Sequence, residues 1–177
     1  MNKRFSHKTL IISIIVILVI VLSVLPLTPA LAASIPDDGN YPRLEKLLQR
    51  ERTALEKQQT RLDRTDENIT RTQNLIEKAK AKGLDTSSLE AALVTYQGRL
   101  PAVLQHHDKA ASLLANPAGF DVNGKVIDRK EAIKTLRAAG DELLRAHLKI
   151  TEATLDLRAA VMAFLEANKS VGITAKP

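Results

Sequence analysis

Apolar residues spaced alternately three and four apart run through two long stretches of this chain. One reads Leu89, Leu93, Tyr96, Leu100, Val103, His107, Ala110 and Leu114. The other reads Ile133, Leu136, Gly140, Leu143, His147, Ile150, Thr154, Leu157, Val161 and Phe164. A repeat of ~3.5 residues sustained this far keeps one helical stripe turned toward a partner helix, whereas a strand would need a period of two. A third stretch carries Leu48, Leu55, Leu62, Ile69 and Ile76 every seven residues, but its alternate positions hold Glu51, Gln58, Thr65, Thr72 and Ala79. It offers one good knob per heptad, so its seam is narrow and half polar. The expected fold is all-α: an elongated, antiparallel, coiled-coil-like three-helix bundle over residues 42–168, with a short hairpin-like loop between the second and third helices.

Local signals place the helix ends. Pro42 suits a first helical position and Gly83 a stop just past the last turn, with no other Gly or Pro between them, which predicts a first helix over 42–82. Ser87 with Glu90 has capping-box spacing, Asp85 being an alternative cap, and Asn116-Pro117 ends the second helix at 115. Asp128 with Glu131 repeats that spacing and opens a third helix over 128–168. At ~1.5 Å per residue the first and third helices are ~60 Å long and the second ~43 Å. Pro101, with Gly98 a turn earlier, removes one backbone bond and predicts a kink in the second helix rather than a full break. Asn123-Gly124, flanked by Asp121-Val122 and Lys125-Val126, reads as a hairpin turn.

Residues 1–33 follow a different rule. Lys3, Arg4 and Lys8 precede an unbroken apolar run from Leu10 that Pro26 and Pro29 close, and Ala30-Leu31-Ala32-Ala33 then supplies the small residues of a cleavage site. The pattern is that of a secretory signal peptide. An uncleaved N-terminal anchor is the alternative reading, because no charge occurs from Thr9 to Pro36. Either way the body is expected outside the cytoplasm, periplasmic or secreted, and in contact with a membrane only if the leader stays. Residues 34–41 read as a polar linker and 169–177 as a flexible tail. Intact-mass measurement should find a chain starting at Ala33 or Ser34 that fractionates without detergent. Retention of Met1 in a detergent-dependent protein would establish the anchor instead.

Removing the leader changes the charge balance. The whole chain is +6, of which Lys3, Arg4 and Lys8 supply three, so the remainder is +3 and mixed in sign. Two Tyr, three Phe and no Trp leave little to stack on bases, which argues against nucleic-acid binding. The absence of cysteine excludes disulfides, thiol catalysis, cysteine metal sites and a lipobox. The basic excess concentrates in the first helix, where Arg43 to Lys82 holds eleven Lys and Arg against seven acids. Most such charge simply solvates a helix. Arg61, Arg64 and Arg71 are nonetheless the candidate partner-binding residues, for a protein or an anionic envelope component.

The residue types that carry chemistry do not assemble into a known constellation. Asp121-x-Asn123-Gly124 is reminiscent of a calcium loop, but Gly119 and Lys130 fall where its first Asp and its bidentate Glu belong. His106, His107 and His147 lack the Glu-x-x-His spacing of di-iron bundles and the H-E-x-x-H of zinc proteases. His107 and His147 read instead as polar seam residues that fix register. No nucleophile elbow, phosphate-cradling glycine loop or dinucleotide fingerprint occurs. The reading is non-enzymatic, with no catalytic, metal or cofactor site.

Two resemblances add to this. The stretch from His106 to Leu114, then Asn116-Pro117-Ala118-Gly119-Phe120-Asp121 and Asn123-Gly124-Lys125-Val126, resembles uncharacterised secreted helical proteins of bacteria over about the second half of the chain. That likeness implies export and a helical fold and brings no activity. The overall plan is similar to small periplasmic helical chaperones of the Spy and CpxP type, in architecture only: their L-T-x-x-Q motif is missing, so no site residue carries over. The function expected is a helical interaction or structural module of the cell envelope. The alternative is a holdase-like chaperone or envelope-stress sensor using the basic face of the first helix. An oligomer is compatible with either.

Overall fold

The computed structural model describes residues 41–171; the expected leader, the linker before Tyr41 and the tail beyond Val171 lie outside the described residues. Within them the chain is helical and has no strand. Helices α1 (Pro42–Asp63), α2 (Thr65–Lys80), α3 (Ser87–Ala115) and α4 (Arg129–Ala167) are followed by a 3-10 turn at Lys169–Val171. The three expected helical spans are present, and Arg64 divides the first. The interruption has a local cause. Thr65 is buried, and its hydroxyl donates to the Leu62 carbonyl at 2.7 Å, while the Arg64 N–H turns back to the Arg61 carbonyl at 3.2 Å. Bonds of this i−3 type compete with the regular helical ladder. A polar residue on the seam satisfies itself at the expense of one regular turn.

The caps are as expected at two ends and different at a third. Gly83 has φ +72°, and the Leu84 N–H reaches back to the Ala79 carbonyl at 3.1 Å, closing α2 two residues before the expected end. Asp128 caps α4 by accepting the Glu131 N–H at 3.0 Å. At α3, however, Ser87 is already helical and Thr86 holds the cap position. Asp85 accepts the Ser87 N–H at 2.9 Å, which holds its carboxyl below the usual range. Glu90 does not reach back to the cap backbone. Lys80 and the Thr86 hydroxyl both take its Oε1, at 2.7 and 2.6 Å, tying the end of α2 to the start of α3. Pro101 sits inside α3 without ending it.

The seam of α3 is the expected one: Leu89, Leu93, Tyr96, Val103, His107, Ala110 and Leu114 are buried, with Leu100 partly so. The seam of α4 differs at four of its five alternate positions, Val161 packing against the last core cluster as expected. Leu136, Leu143, Ile150, Leu157 and Phe164 are buried as expected, but the alternate places go to Ala132, Ala139, Ala146 and Ala153 rather than Ile133, Gly140, His147 and Thr154. Those alanines are 0–1% exposed. A methyl group lets neighbouring backbones approach closely, whereas Ile133 or His147 at the same place would hold them apart, so both are turned to the margin. In α1 and α2 the half-polar seam is present, with Leu48, Leu62 and Ile76 buried beside Gln58, Thr65 and Thr72.

Core clusters follow one another along the helices. Leu48, Ala110, Leu114, Phe120, Leu136 and Leu143 belong to the first. Leu62, Val103, Ala146 and Ile150 form the next, then Tyr96, Ala153 and Leu157. Leu75, Ile76, Leu89, Leu93 and Phe164 form the last.

The link between α3 and α4 is tighter than a plain hairpin. A single antiparallel bridge joins Phe120 and Val126. The Gly124 N–H donates to the Asp121 carbonyl at 2.9 Å with φ +77°, the left-handed glycine such turns require. Asp121 Oδ1 also accepts the Asn123 and Lys125 N–H groups, at 2.9 and 2.8 Å. Its side chain is thereby engaged in shaping the turn. Lys125 reaches Glu45 of α1 at 2.7 Å, and that pair raises the lysine pKa.

Candidate functional site

The polar residues that sequence reading singled out converge on one level of the helices, where each links two or three elements. Gln58 of α1 is buried; its Nε2 donates to the Leu143 carbonyl of α4 at 3.1 Å. Its Oε1 accepts from His107 Nδ1 of α3 at 3.0 Å, which fixes the proton of that imidazole on Nδ1. His106, on the neighbouring face, contacts Glu142 of α4 at 2.5 Å, both side chains being only 16% and 17% exposed. This bond, with help from Lys109 and Arg145, holds the Glu142 carboxyl below the ordinary range. His107 therefore occupies the seam as expected, while His147 does not.

His147 lies at the margin, where Arg61 Nη1 of α1 approaches its Nδ1 at 3.0 Å. A guanidinium has only donors, so the imidazole nitrogen must be the acceptor and the ring neutral. Burial, and then the Arg61 charge, lower its pKa from 6.5. The sign of the pH effect follows. With the folded pKa below the unfolded value, the unfolded chain binds more protons, so stability is lost as pH falls below ~6.5. His147→Gln keeps an acceptor that does not titrate. It should flatten the fall in denaturation midpoint below pH ~6.5 relative to the parent chain; identical pH profiles would show that the Arg61–His147 contact contributes nothing.

The candidate partner-binding residues are all exposed, but they are not equivalent. Arg61 is committed to His147, and Arg71 pairs with Glu67 at 2.6 Å within α2. Arg64 is the turn residue between α1 and α2. Of the three, only Arg64 has no side-chain hydrogen bond or ion pair among the described residues, so the structure does not gather them into one free cationic face. Beside the His106–Glu142 pair, an open groove of about 730 Å³ between α3 and α4 is lined by Asp108, Lys109, Ser112, Asp141 and Arg145. Acids and bases alternate along it, so it selects no single sign of charge.

Sequence reading missed two features. Gly119, at φ +86°, lies with its Cα hydrogen directed at the first turn of α4. Leu148, Leu155 and Met162 stand exposed on α4. The second was visible as a seven-residue repeat, masked by the stronger stripe beside it. Among the described residues no group of three or more His, Cys, Asp or Glu gathers as a metal site would, and no helix is long and apolar enough to cross a membrane. In comparison with known proteins, the chain matches no family model, no curated protein and no solved structure.

Proposed function

We propose that this chain is a non-enzymatic helical interaction or structural module working outside the cytoplasm, at the cell envelope. The observation that carries the reading is the use made of its histidines: His106, His107 and His147 each join one helix to another, through Glu142, Gln58 and Arg61. Groups that catalysis would need free are engaged in holding helices in register. The leader pattern supports the location. The architecture proposed is the antiparallel, elongated, coiled-coil-like bundle. In its support, the clusters pair Leu89 of early α3 with Phe164 of late α4, then Tyr96 with Leu157, Val103 with Ile150, and Leu114 with Leu136. As one helix advances the other returns.

Affinity capture with the tagged chain from an envelope fraction should recover a reproducible protein or anionic polymer. Turnover of a substrate by the purified chain would overturn the reading.

The alternative, a holdase working through basic residues, rests on the exposure of Arg61, Arg64 and Arg71. It requires salt-sensitive suppression of client aggregation, weakened when all three become Gln while the fold survives, since exposed ion pairs contribute only ~0–1 kcal/mol each. Protection that is unchanged in the triple variant, or insensitive to salt, retires it.

A further inference from the structure

Leu148, Leu155 and Met162 of α4 are 57%, 47% and 57% exposed. They follow at seven-residue intervals on the side of α4 turned away from Leu143, Ile150 and Leu157, which build the core. Leu144, Thr151 and Arg158 fall before and between them, completing a second stripe of ~3.5-residue period along ~27 Å of helix. Single exposed leucines are ordinary on any protein surface. A stripe with the period of a coiled coil is a surface built for another helix.

We propose that this stripe is a homodimer interface, in which α4 packs antiparallel on α4 of a second copy about a two-fold axis at Leu155. The three exposed apolar residues of the stripe are evenly spaced about that residue. Leu148 lies seven positions before it and Met162 seven after, so the axis sets each Leu148 against Met162 of the second copy. The charges obey the same symmetry. Glu152 lies three positions before Leu155 and Arg158 three after, which brings each Arg158 level with Glu152 of the second copy. Within one chain Arg158 has no acidic partner among the described residues. Glu152 is held only at 3.6 Å by Arg99, whose close contact, at 2.6 Å, is with Asp156. Turning one helix around to give a parallel pair would oppose Arg158 to Arg158 and Glu152 to Glu152, which is repulsive. A self-complementary patch of this kind closes as a dimer instead of propagating. An unfolded client would account for the apolar residues but not for the symmetric placement of the two charges.

Sedimentation velocity on the purified full chain should show a monomer–dimer equilibrium. Leu155→Asp should shift it to monomer, with affinity lower by roughly tenfold or more, while circular dichroism stays helical. Leu148→Gln, further from the axis, should weaken it less. Arg158→Glu should dissociate the dimer, and Glu152→Arg combined with Arg158→Glu should restore it. Because the chain has no cysteine, oxidative cross-linking gives an unambiguous reading of register. Leu155→Cys should cross-link to itself, and Leu148→Cys should cross-link to Met162→Cys in mixtures but not to itself. A monomer at every concentration, a dimer indifferent to Leu155→Asp, or efficient self-linking through Leu148→Cys would each overturn the proposal. So would suppression of client aggregation by a monomeric chain that Leu155→Asp abolishes, since the face would then belong to clients.

Discussion

Gly119→Ala is expected to be the most damaging small substitution in the chain, lowering stability by ~3 kcal/mol or more. A Cβ at this position would lie 2.1 Å from the Ala132 nitrogen, 2.5 Å from the Asp128 carbonyl oxygen and 2.7 Å from the Ala132 Cα. All three are backbone atoms of the first turn of α4, so no side chain can swing aside. The new methyl would also intrude on the bond between the Ala132 N–H and the Asp128 carbonyl, 2.9 Å long, that starts the helix. The Gly119 carbonyl meanwhile accepts the Ile127 and Asp128 N–H groups, and the neighbouring Ala118 carbonyl accepts the Thr135 hydroxyl. A shift to relieve the clash therefore loosens several bonds together, along with buried Phe120 beside them. Gly83→Ala is the control. That glycine also has positive φ, +72°, but its Cβ would meet nothing within 4 Å, so only the ~1–2 kcal/mol of left-handed strain applies. Urea midpoints of the two variants should differ clearly; equal losses would show that the close approach of the loop to α4 does not matter.

What was legible in the sequence was whatever a period or a local cap determines. The α3 seam from Leu89 to Leu114 could be read directly, because large side chains mark it and nothing similar competes on that helix. The Asp128 cap and the Gly83 stop were legible because each depends on one side chain or one φ value. The α4 seam was displaced at its alternate positions because two rules conflict there. Periodicity favours Ile133 and His147 on hydrophobic size and polarity, while close packing favours Ala132, Ala139, Ala146 and Ala153, whose methyl groups carry little weight in a pattern search. Ser87 was mistaken for the cap because the capping-box spacing takes no account of Lys80, which pulls Glu90 toward the preceding helix. The break at Arg64 arises from a hydroxyl choosing its partner after burial, which no spacing records. Among the candidate site residues the sequence located the basic excess but not its neutralisation: that Arg61 meets His147 depends on the pairing of α1 with α4 across a long stretch of chain.

Removing the buried Gln58 alone should cost more than removing it together with His107. Gln58→Leu leaves the His107 Nδ1–H without its acceptor in a site only 5% exposed, and takes one donor from the Leu143 carbonyl. An unsatisfied buried donor costs ~1–3 kcal/mol, whereas replacing both partners by apolar groups is close to neutral. The double variant Gln58→Leu, His107→Leu should therefore regain most of the loss and unfold close to the parent midpoint in urea. Its defect should appear elsewhere. Leu48, Leu55, Leu62, Ile69 and Ile76 repeat every seven residues, so an apolar seam would pack almost as well after sliding by one heptad, ~10 Å. Only Gln58 can bridge α3 and α4 as a donor and an acceptor at once: Thr65 and Thr72 spend their hydroxyls on Leu62 and Asn68 of their own span. The double variant should then show more amide resonances than residues, or two hydrogen-exchange populations in α1, as registers mix. A single sharp set of resonances would mean that the turn at Arg64 and the Glu45–Lys125 contact set the register without help from the core.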